Sequence, residues 1–254
     1  MRTNVAKKLL REGKPAIGTW ISTRSPIQAE MMGHVGFDWI LVDTEHGETD
    51  IDALAGMLQA ISATPTNPLV RLTANEPWFF KKALDLGAYG VVVPMVNSVE
   101  DAKAAVQACR YPPLGGRGWG PTRGVMYGGS DYFEKANDEL LLIVQTESRT
   151  AVEQIHEILS LPGIDGCFIG PNDLSVSYGF SPGMKQLPDE VEEGIQQILR
   201  GAREVGKFAG IHTFTIESAK RRLTEGFLFL AIMGDMRFAQ AGAQAALAAL
   251  RTSE

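Results

Sequence analysis

Eight short apolar runs, each followed by a longer amphipathic stretch, set the rhythm of this sequence. They are Pro15–Ile21, Trp39–Thr44, Pro68–Leu72, Gly90–Val96, Leu140–Thr146, Gly166–Gly170, Phe208–Thr213 and Phe227–Met233. The runs do not alternate with polar residues. That is the pattern of strands covered on both faces, as in a parallel sheet flanked by helices. Between them the spacing predicts helices over Pro26–His34, Ile51–Ser62, Pro77–Leu86, Val99–Ala108, Ala151–Leu159, Asp189–Val205 and Glu217–Glu225. Ser25-Pro26, Asn75-Glu76-Pro77 and Ser98-Val99-Glu100 read as helix starts, and Gly36, Gly87, Gly206 and Gly226 as helix stops. An open doubly wound sheet would leave unprotected edges and usually carries a Gly-rich first turn, which the first run lacks. The fold class is therefore α/β, a (β/α)8 TIM barrel, and the 254 residues match the roughly 250 such a barrel takes. With no shift in composition along the chain, residues 1–254 read as one domain.

Two segments stand outside the rhythm. Residues Tyr111–Ala136 are Gly-rich and aromatic with no clear period, and stretches of this kind inside a domain are usually functional or interfacial. Residues Met236–Leu250 form an Ala-rich helix suited to close packing on the barrel wall or on a neighbouring subunit. The amino terminus, MRTNVAKKLLREGK, reads as a short amphipathic helix rather than a signal peptide.

Composition narrows the function. The net charge is −6 with no Lys/Arg-rich run, which argues against nucleic acid as a partner. Cys109 and Cys167 are too far apart for a metal motif. No apolar run is long enough to span a membrane, so no membrane partner is expected and a cytoplasmic enzyme is the default.

In such a barrel the active site lies at the carboxyl ends of the strands. Those ends carry Asp43-Thr44-Glu45-His46-Gly47, Arg71, Gln145-Thr146-Glu147, Gly170-Pro171-Asn172-Asp173 and His212-Thr213. Glu147 and Asp173 follow adjacent strands, so their carboxylates can converge. Two carboxylates completed by water and substrate oxygens suit Mg²⁺, and Mn²⁺ or Co²⁺ equally. Taken singly, Asp173 can be a helix cap and Glu147 a surface ion-pair partner; the pair on neighbouring strands favours a metal. His46 lies three residues after Asp43, a carboxylate that can fix its tautomer for acid–base work. The alternative is a turn histidine. Arg71 offers a planar fork to a carboxylate or an enolate oxygen, unless loop acids occupy it. The backbone from Gly170 through Asp173 can hold a carboxylate, with Pro171 unable to donate. Trp20 and His212 end their strands as candidate pocket walls. No Lys sits at a strand end, which argues against Schiff-base chemistry.

These residues lie in stretches that resemble the HpcH/HpaI aldolases, metal-dependent class II pyruvate aldolases acting on substrates such as 4-hydroxy-2-oxoheptanedioate and 2-keto-3-deoxy sugar acids. The stretches are GFDWILVDTEH (Gly36–His46), PLVR (Pro68–Arg71), VVPMV (Val92–Val96), RYPPLGGRG (Arg110–Gly118), VQTESRTAVEQI (Val144–Ile155) and GIDGCFIGPNDLS from Gly163. The resemblance runs from about Lys7 to Leu250. It implies Glu147 and Asp173 as metal ligands, Arg71 on the pyruvyl carbonyl oxygen, and His46 with Asp43 as an acid–base dyad. Gln145 and the Gly170–Asp173 backbone become the pyruvate-holding shell. It further implies a homo-oligomer, a hexamer built as a trimer of dimers with the C-terminal helix exchanged, and a long loop whose Trp119 or Arg123 reaches a neighbour's acceptor pocket. His212, Ile211–Ile216 and Met233-Gly234-Asp235 depart from the family pattern, which puts the aldehyde half of the site in doubt. The implied reaction is reversible cleavage of a 4-hydroxy-2-keto acid to pyruvate and an aldehyde, through an enolate that a divalent metal stabilises. The alternatives are a citrate-lyase-like or oxaloacetate-decarboxylating metal enzyme, or a keto-acid-binding barrel without catalysis.

Overall fold

Eight parallel strands close on themselves in chain order, with β1 (Ala16–Ile21) paired to both β2 (Trp39–Asp43) and β8 (Phe229–Ile232). The others are β3 (Asn67–Arg71), β4 (Gly90–Val93), β5 (Leu141–Gln145), β6 (Gly166–Ile169) and β7 (Phe208–Thr213). This computed structural model describes residues 1–251, so the last three residues of the expected 1–254 span lie outside it. The helices that precede and separate the first five strands are α1 (Val5–Arg11), α2 (Pro26–Gly33), α3 (Ile51–Ser62), α4 (Pro77–Asp85) and α5 (Val99–Cys109), with α6 (Thr122–Gly128) and α7 (Tyr132–Glu139) before β5. Then come α8 (Arg149–Glu153), α9 (Ile155–Leu159), α10 (Pro171–Ser177), α11 (Asp189–Glu204), α12 (Ile216–Glu225) and α13 (Asp235–Arg251).

Strand side chains alternate between two cores, as a period of two requires. Trp39, Leu41, Leu69, Val92, Leu141, Ile143, Phe168 and Phe229 fill the barrel. Ile40, Val42, Val70, Val91, Val93, Leu142 and Val144 point outward under the helices. Gly18 makes room for the largest inner side chain: a Cβ there would lie 2.1 Å from the Trp39 ring, which stacks on Phe229 at 4.1 Å. Helix α1 closes the amino-terminal end of the barrel. Its Ala6 and Leu10 join the inner core, and buried Lys7 donates to the Leu140 carbonyl at 2.7 Å and pairs with Asp165 at 2.8 Å.

Ser25 and Ser98 cap α2 and α5 as expected, accepting from the Gln28 and Asp101 N–H groups. At α4 the cap position is Glu76, which makes no side-chain cap bond; Asn75 instead donates to the Asp101 carbonyl at 2.9 Å. The helix expected over Ala151–Leu159 is broken at Gln154, whose backbone leaves the helical region at φ −107° and ψ 13°. The aperiodic stretch Tyr111–Ala136 contains α6 and the start of α7. Because it joins α5 to β5, it lies at the amino-terminal end of the barrel, away from this chain's own strand-end loops. There Arg123 binds the Leu86 carbonyl and Ser62, and Trp119 packs on Phe133 at 5.6 Å. Helix α13 buries only Asp235, and Leu247 and Leu250 are exposed. Among the described residues, no helix is long and apolar enough to cross a membrane.

Candidate active site at the strand ends

The carboxyl ends of the strands surround a cavity of about 300 Å³ lined by Trp20, Asp43, His46, Arg71, Gln145, Gly170, Asn172, Asp173 and His212. Pro171 lines an adjoining cavity instead, and Glu147 is buried against Gln145 and Gly170. Every strand-end residue singled out from the sequence therefore reaches this end of the barrel, whereas Trp119 and Arg123 lie at the other. Phe168 and Arg237 also line the cavity and were not singled out; Phe214 and Met233, from the two stretches that depart from the family pattern, line it as well.

Two carboxylates meet over Gly170. A Cβ on this glycine would lie 2.5 Å from Glu147 Oε2 and 2.8 Å from Asp173 Oδ2, so both oxygens reach one point that only a hydrogen leaves open. The placement follows from the strands. Glu147 comes two residues after the end of β5, and Asp173 lies in the first turn of α10, straight after β6, which pairs with β5. Among the described residues, neither acid has an ion-pair partner and Gln145 Oε1 is buried with no partner, whereas Gln145 Nε2 donates to Glu147. Burial, and then the neighbouring Asp173 charge, push the Glu147 carboxyl up to about 8. Converging like charges in a buried site take up either a proton or a cation. A pair of hard oxygen ligands beside an unsatisfied amide oxygen fits a divalent cation completed by water and substrate. Among the described residues, no third Asp, Glu, His or Cys joins them.

Arg71 is the centre of the opposite wall. Its Nε and Nη2 donate to Asp43 at 2.9 and 2.7 Å, a two-pronged pairing set by the side-by-side register of Asp43 and Arg71 on β2 and β3. Its Nη1 lies 2.9 Å from Glu45 Oε2 without the alignment of a hydrogen bond. The Nη1 protons thus remain for a substrate oxygen. Burial raises the Glu45 carboxyl against the lowering effect of Arg71.

This geometry corrects the expected Asp43–His46 pairing. Asp43 gives its oxygens to Arg71 and to the backbone N–H groups of Glu45 and His46, not to the imidazole. The His46 side chain is 69% exposed, and the carboxylate nearest its ring is Glu45, 4.0 Å from Nε2. Three residues of turn bring the two backbones together while the side chains diverge. Glu45, which sequence reasoning passed over between two named neighbours, touches both Arg71 and His46.

The remaining wall is aromatic. Trp20 lies under the Arg71 guanidinium at 4.4 Å and stacks on His212, with ring centroids 5.4 Å apart and planes 5° from parallel. His212 Nε2 is 2.7 Å from the carbonyl of Met233, a non-glycine residue held at φ +52°. Burial pushes this imidazole down to about 4 despite that contact, so it is neutral at physiological pH. Asp235 anchors the rim: it accepts from the Ser22 and Thr23 N–H groups, from the Thr23 hydroxyl and from Gln28.

The chain is also similar to known proteins. A sequence profile described as HpcH/HpaI aldolase/citrate lyase matches residues 16–240. The 4-hydroxy-2-oxo-heptane-1,7-dioate aldolase of Escherichia coli (strain SE11) is 40% identical over 245 residues, covering 95% of this chain and 93% of that protein. Among solved structures, an HpcH/HpaI aldolase/citrate lyase family protein from Burkholderia cenocepacia J2315 superposes with a TM-score of 0.92 at 34% identity, covering 98% of this chain and all of that one. The citrate synthase SbnG superposes with a TM-score of 0.88 at 27% identity, covering 98% of each chain.

Proposed function

The chain belongs to the HpcH/HpaI aldolase/citrate lyase family, and from that premise we propose how its residues act as a class II pyruvate aldolase. It is a carbon–carbon lyase. One barrel domain carries the reaction, the reversible cleavage of a 4-hydroxy-2-keto acid to pyruvate and an aldehyde. The observation that carries the reading is the convergence of Glu147 and Asp173 over Gly170, beside Arg71 at the mouth of the same barrel.

Glu147 and Asp173 would hold a divalent cation, with Mg²⁺, Mn²⁺ and Co²⁺ all suited to this donor set. When bound, the cation supplies Lewis acidity to the keto oxygen of the substrate. The unused Nη1 protons of Arg71 face charge that grows on that oxygen as the C3–C4 bond breaks. Asp43 keeps the guanidinium in place, so it acts as a positioning residue rather than as a partner of His46. His46, exposed on the cavity and near Glu45, takes the C4 hydroxyl proton. The electron pair of C3–C4 moves toward C2, the aldehyde leaves, and a proton added at C3 completes pyruvate. In reverse, C3 loses a proton, bonds to the aldehyde carbon, and the aldehyde oxygen is protonated. Gly170, Asn172 and Gln145 border the space for the pyruvyl group.

The exposed apolar residues of α13 support a homo-oligomer, with a hexamer as the expected form. The test of function is pyruvate release from 4-hydroxy-2-keto acids with EDTA, then with each metal restored. Metal-dependent release is expected. Oxaloacetate decarboxylation without release from any such acid would replace the aldolase reading by the decarboxylase one.

A further inference from the structure

The amino-terminal end of the barrel gathers more positive charge than it neutralises. Asp165, just before β6, pairs with Lys7 at 2.8 Å and with Arg110 at 2.7 Å, so one carboxylate serves two cations. Arg11, in the last turn of α1, donates through Nη2 to the Asp138 carbonyl at 2.7 Å. Lys207, just before β7, donates to the Ile164 carbonyl at 2.7 Å. A carbonyl accepts a proton without cancelling a charge. Among the described residues, neither Arg11 nor Lys207 is in ion-pair contact with a carboxylate. The acids on the near rim are engaged elsewhere: Glu12 pairs with Lys14, and Glu139 accepts from the Asn4 N–H. Burial, with Arg110 and Arg11 adding to it, holds the Lys7 ammonium below its ordinary range against the raising effect of Asp165.

Lys7, Arg11 and Lys207 line one cavity of about 200 Å³ between α1 and the strand starts, and Asp165 is the one acid in its described wall. Leu10, Leu141, Phe208 and Leu228 make most of the remaining wall apolar. The donors are not used up. Lys7 commits two of its three N–H bonds, to the Leu140 carbonyl and to Asp165. Lys207 commits one of three and Arg11 one of five. Apolar walls lower the local dielectric, so cations left unpaired there repel one another more than in bulk water, and an entering anion is held more firmly.

We propose that this cavity binds a small oxyanion carrying two negative charges, with Lys7, Arg11 and Lys207 as its donors. Two charges match the two cations that Asp165 does not serve. Ammonium groups on flexible stems do not choose between a phosphate and a dicarboxylate, so the dianion is the shared requirement. The site lies at the opposite end of the barrel from Glu147 and Asp173 and does not depend on the aldolase reading.

The experiment is thermal melting of the metal-free full chain at pH 8 with inorganic phosphate, with succinate, or with sodium chloride at matched ionic strength. Wild type is compared with Arg11→Gln, Lys207→Gln and, as a control for net charge, Lys103→Gln, and calorimetry gives each Kd. None of the three side chains replaced is buried, so the variants should fold. A dianion at about ten times its Kd should raise the wild-type Tm by about 3–5 °C, and chloride should not. Arg11→Gln and Lys207→Gln should each weaken Kd about fivefold, the scale of one accessible charged contact, while Lys103→Gln leaves it unchanged. A rise with phosphate alone or with succinate alone, lost in the two variants, supports the site and names the source of its anion. No rise specific to dianions overturns it. An equal rise in Arg11→Gln and Lys207→Gln also overturns it, because the anion would then sit elsewhere, Arg71 included. Equal weakening in Lys103→Gln would reduce the effect to net charge and overturn it as well.

Discussion

Glu147→Gln should make the metal-free protein more stable at pH 8 and leave it unable to gain stability from metal. Its carboxyl is held near 8 in the folded chain by burial and by Asp173, against an ordinary value of 4.5. Below pH 4.5 both folded and unfolded chains carry the proton, and this group contributes nothing. Between 4.5 and 8 the unfolded carboxyl ionises while the folded one stays neutral, so stability falls as pH rises, by up to about 1.4 kcal/mol per pH unit. By pH 8 the accumulated loss is about 4 kcal/mol. Glutamine has the same shape, can accept the Gln145 N–H, and carries no proton to lose. With about 2–4 °C per kcal/mol in a domain of this size, the variant should melt about 10 °C above wild type at pH 8 in EDTA. The gap should close toward pH 5. Adding Mn²⁺ at pH 8 should raise the wild-type Tm, since a ligand that binds only the folded chain stabilises it, and should leave the variant nearly unchanged. Melting curves from pH 5 to 9, with EDTA and with Mn²⁺, are the assay. A gap that does not vary with pH would refute the electrostatic account. A variant that still gains stability from Mn²⁺ would refute Glu147 as a ligand.

Three further perturbations probe the same site. Gly170→Ala should fold, because φ −91° suits alanine, yet its methyl would press on both carboxylates; calorimetry should show divalent-metal affinity at least about tenfold weaker. Arg71→Met leaves Asp43 and Glu45 buried without their cation, so it should lose about 3–5 kcal/mol in urea unfolding and at least about 100-fold in kcat/KM. His46→Ala removes an exposed side chain, so stability should move by no more than about 0.5 kcal/mol while kcat falls about 100-fold or more; full activity in this variant would take His46 out of the mechanism.

The barrel was legible because its signals are local. Continuous apolar runs, Ser25 and Ser98 before their helices, and the glycines that follow them describe elements one at a time. The closed strand order comes from repeating one unit eight times. Where local signals fail, the structure departs from them. The break at Gln154 has no Gly or Pro to announce it. The stretch over Tyr111–Ala136 hides two helices among glycines and aromatics, and its place could have been read from topology alone. A segment between a helix and the next strand returns to the amino-terminal end of the barrel, so within its own chain it does not reach the strand-end cavity.

The site was legible in its membership but not in its pairings, for a physical reason. Strand ends can be read from sequence, so Glu147, Asp173, Arg71 and His212 emerge as a set. Which acid faces which base depends on register and side-chain direction. Asp43 and Arg71 are 28 residues apart in sequence and directly paired across β2 and β3, whereas Asp43 and His46 are close in sequence and diverge in space. A rigid inter-strand pair therefore prevails over a turn contact for the Asp43 carboxylate, and two N–H groups of Arg71 are committed before substrate arrives. That commitment is what makes the site asymmetric. On one wall the cation is built in and anchored by acids; on the other the acids converge with no cation of their own. A keto acid placed between them meets a fixed positive charge and a negative pocket that must recruit one, so the proposed metal requirement rests on how the chain divides its charges.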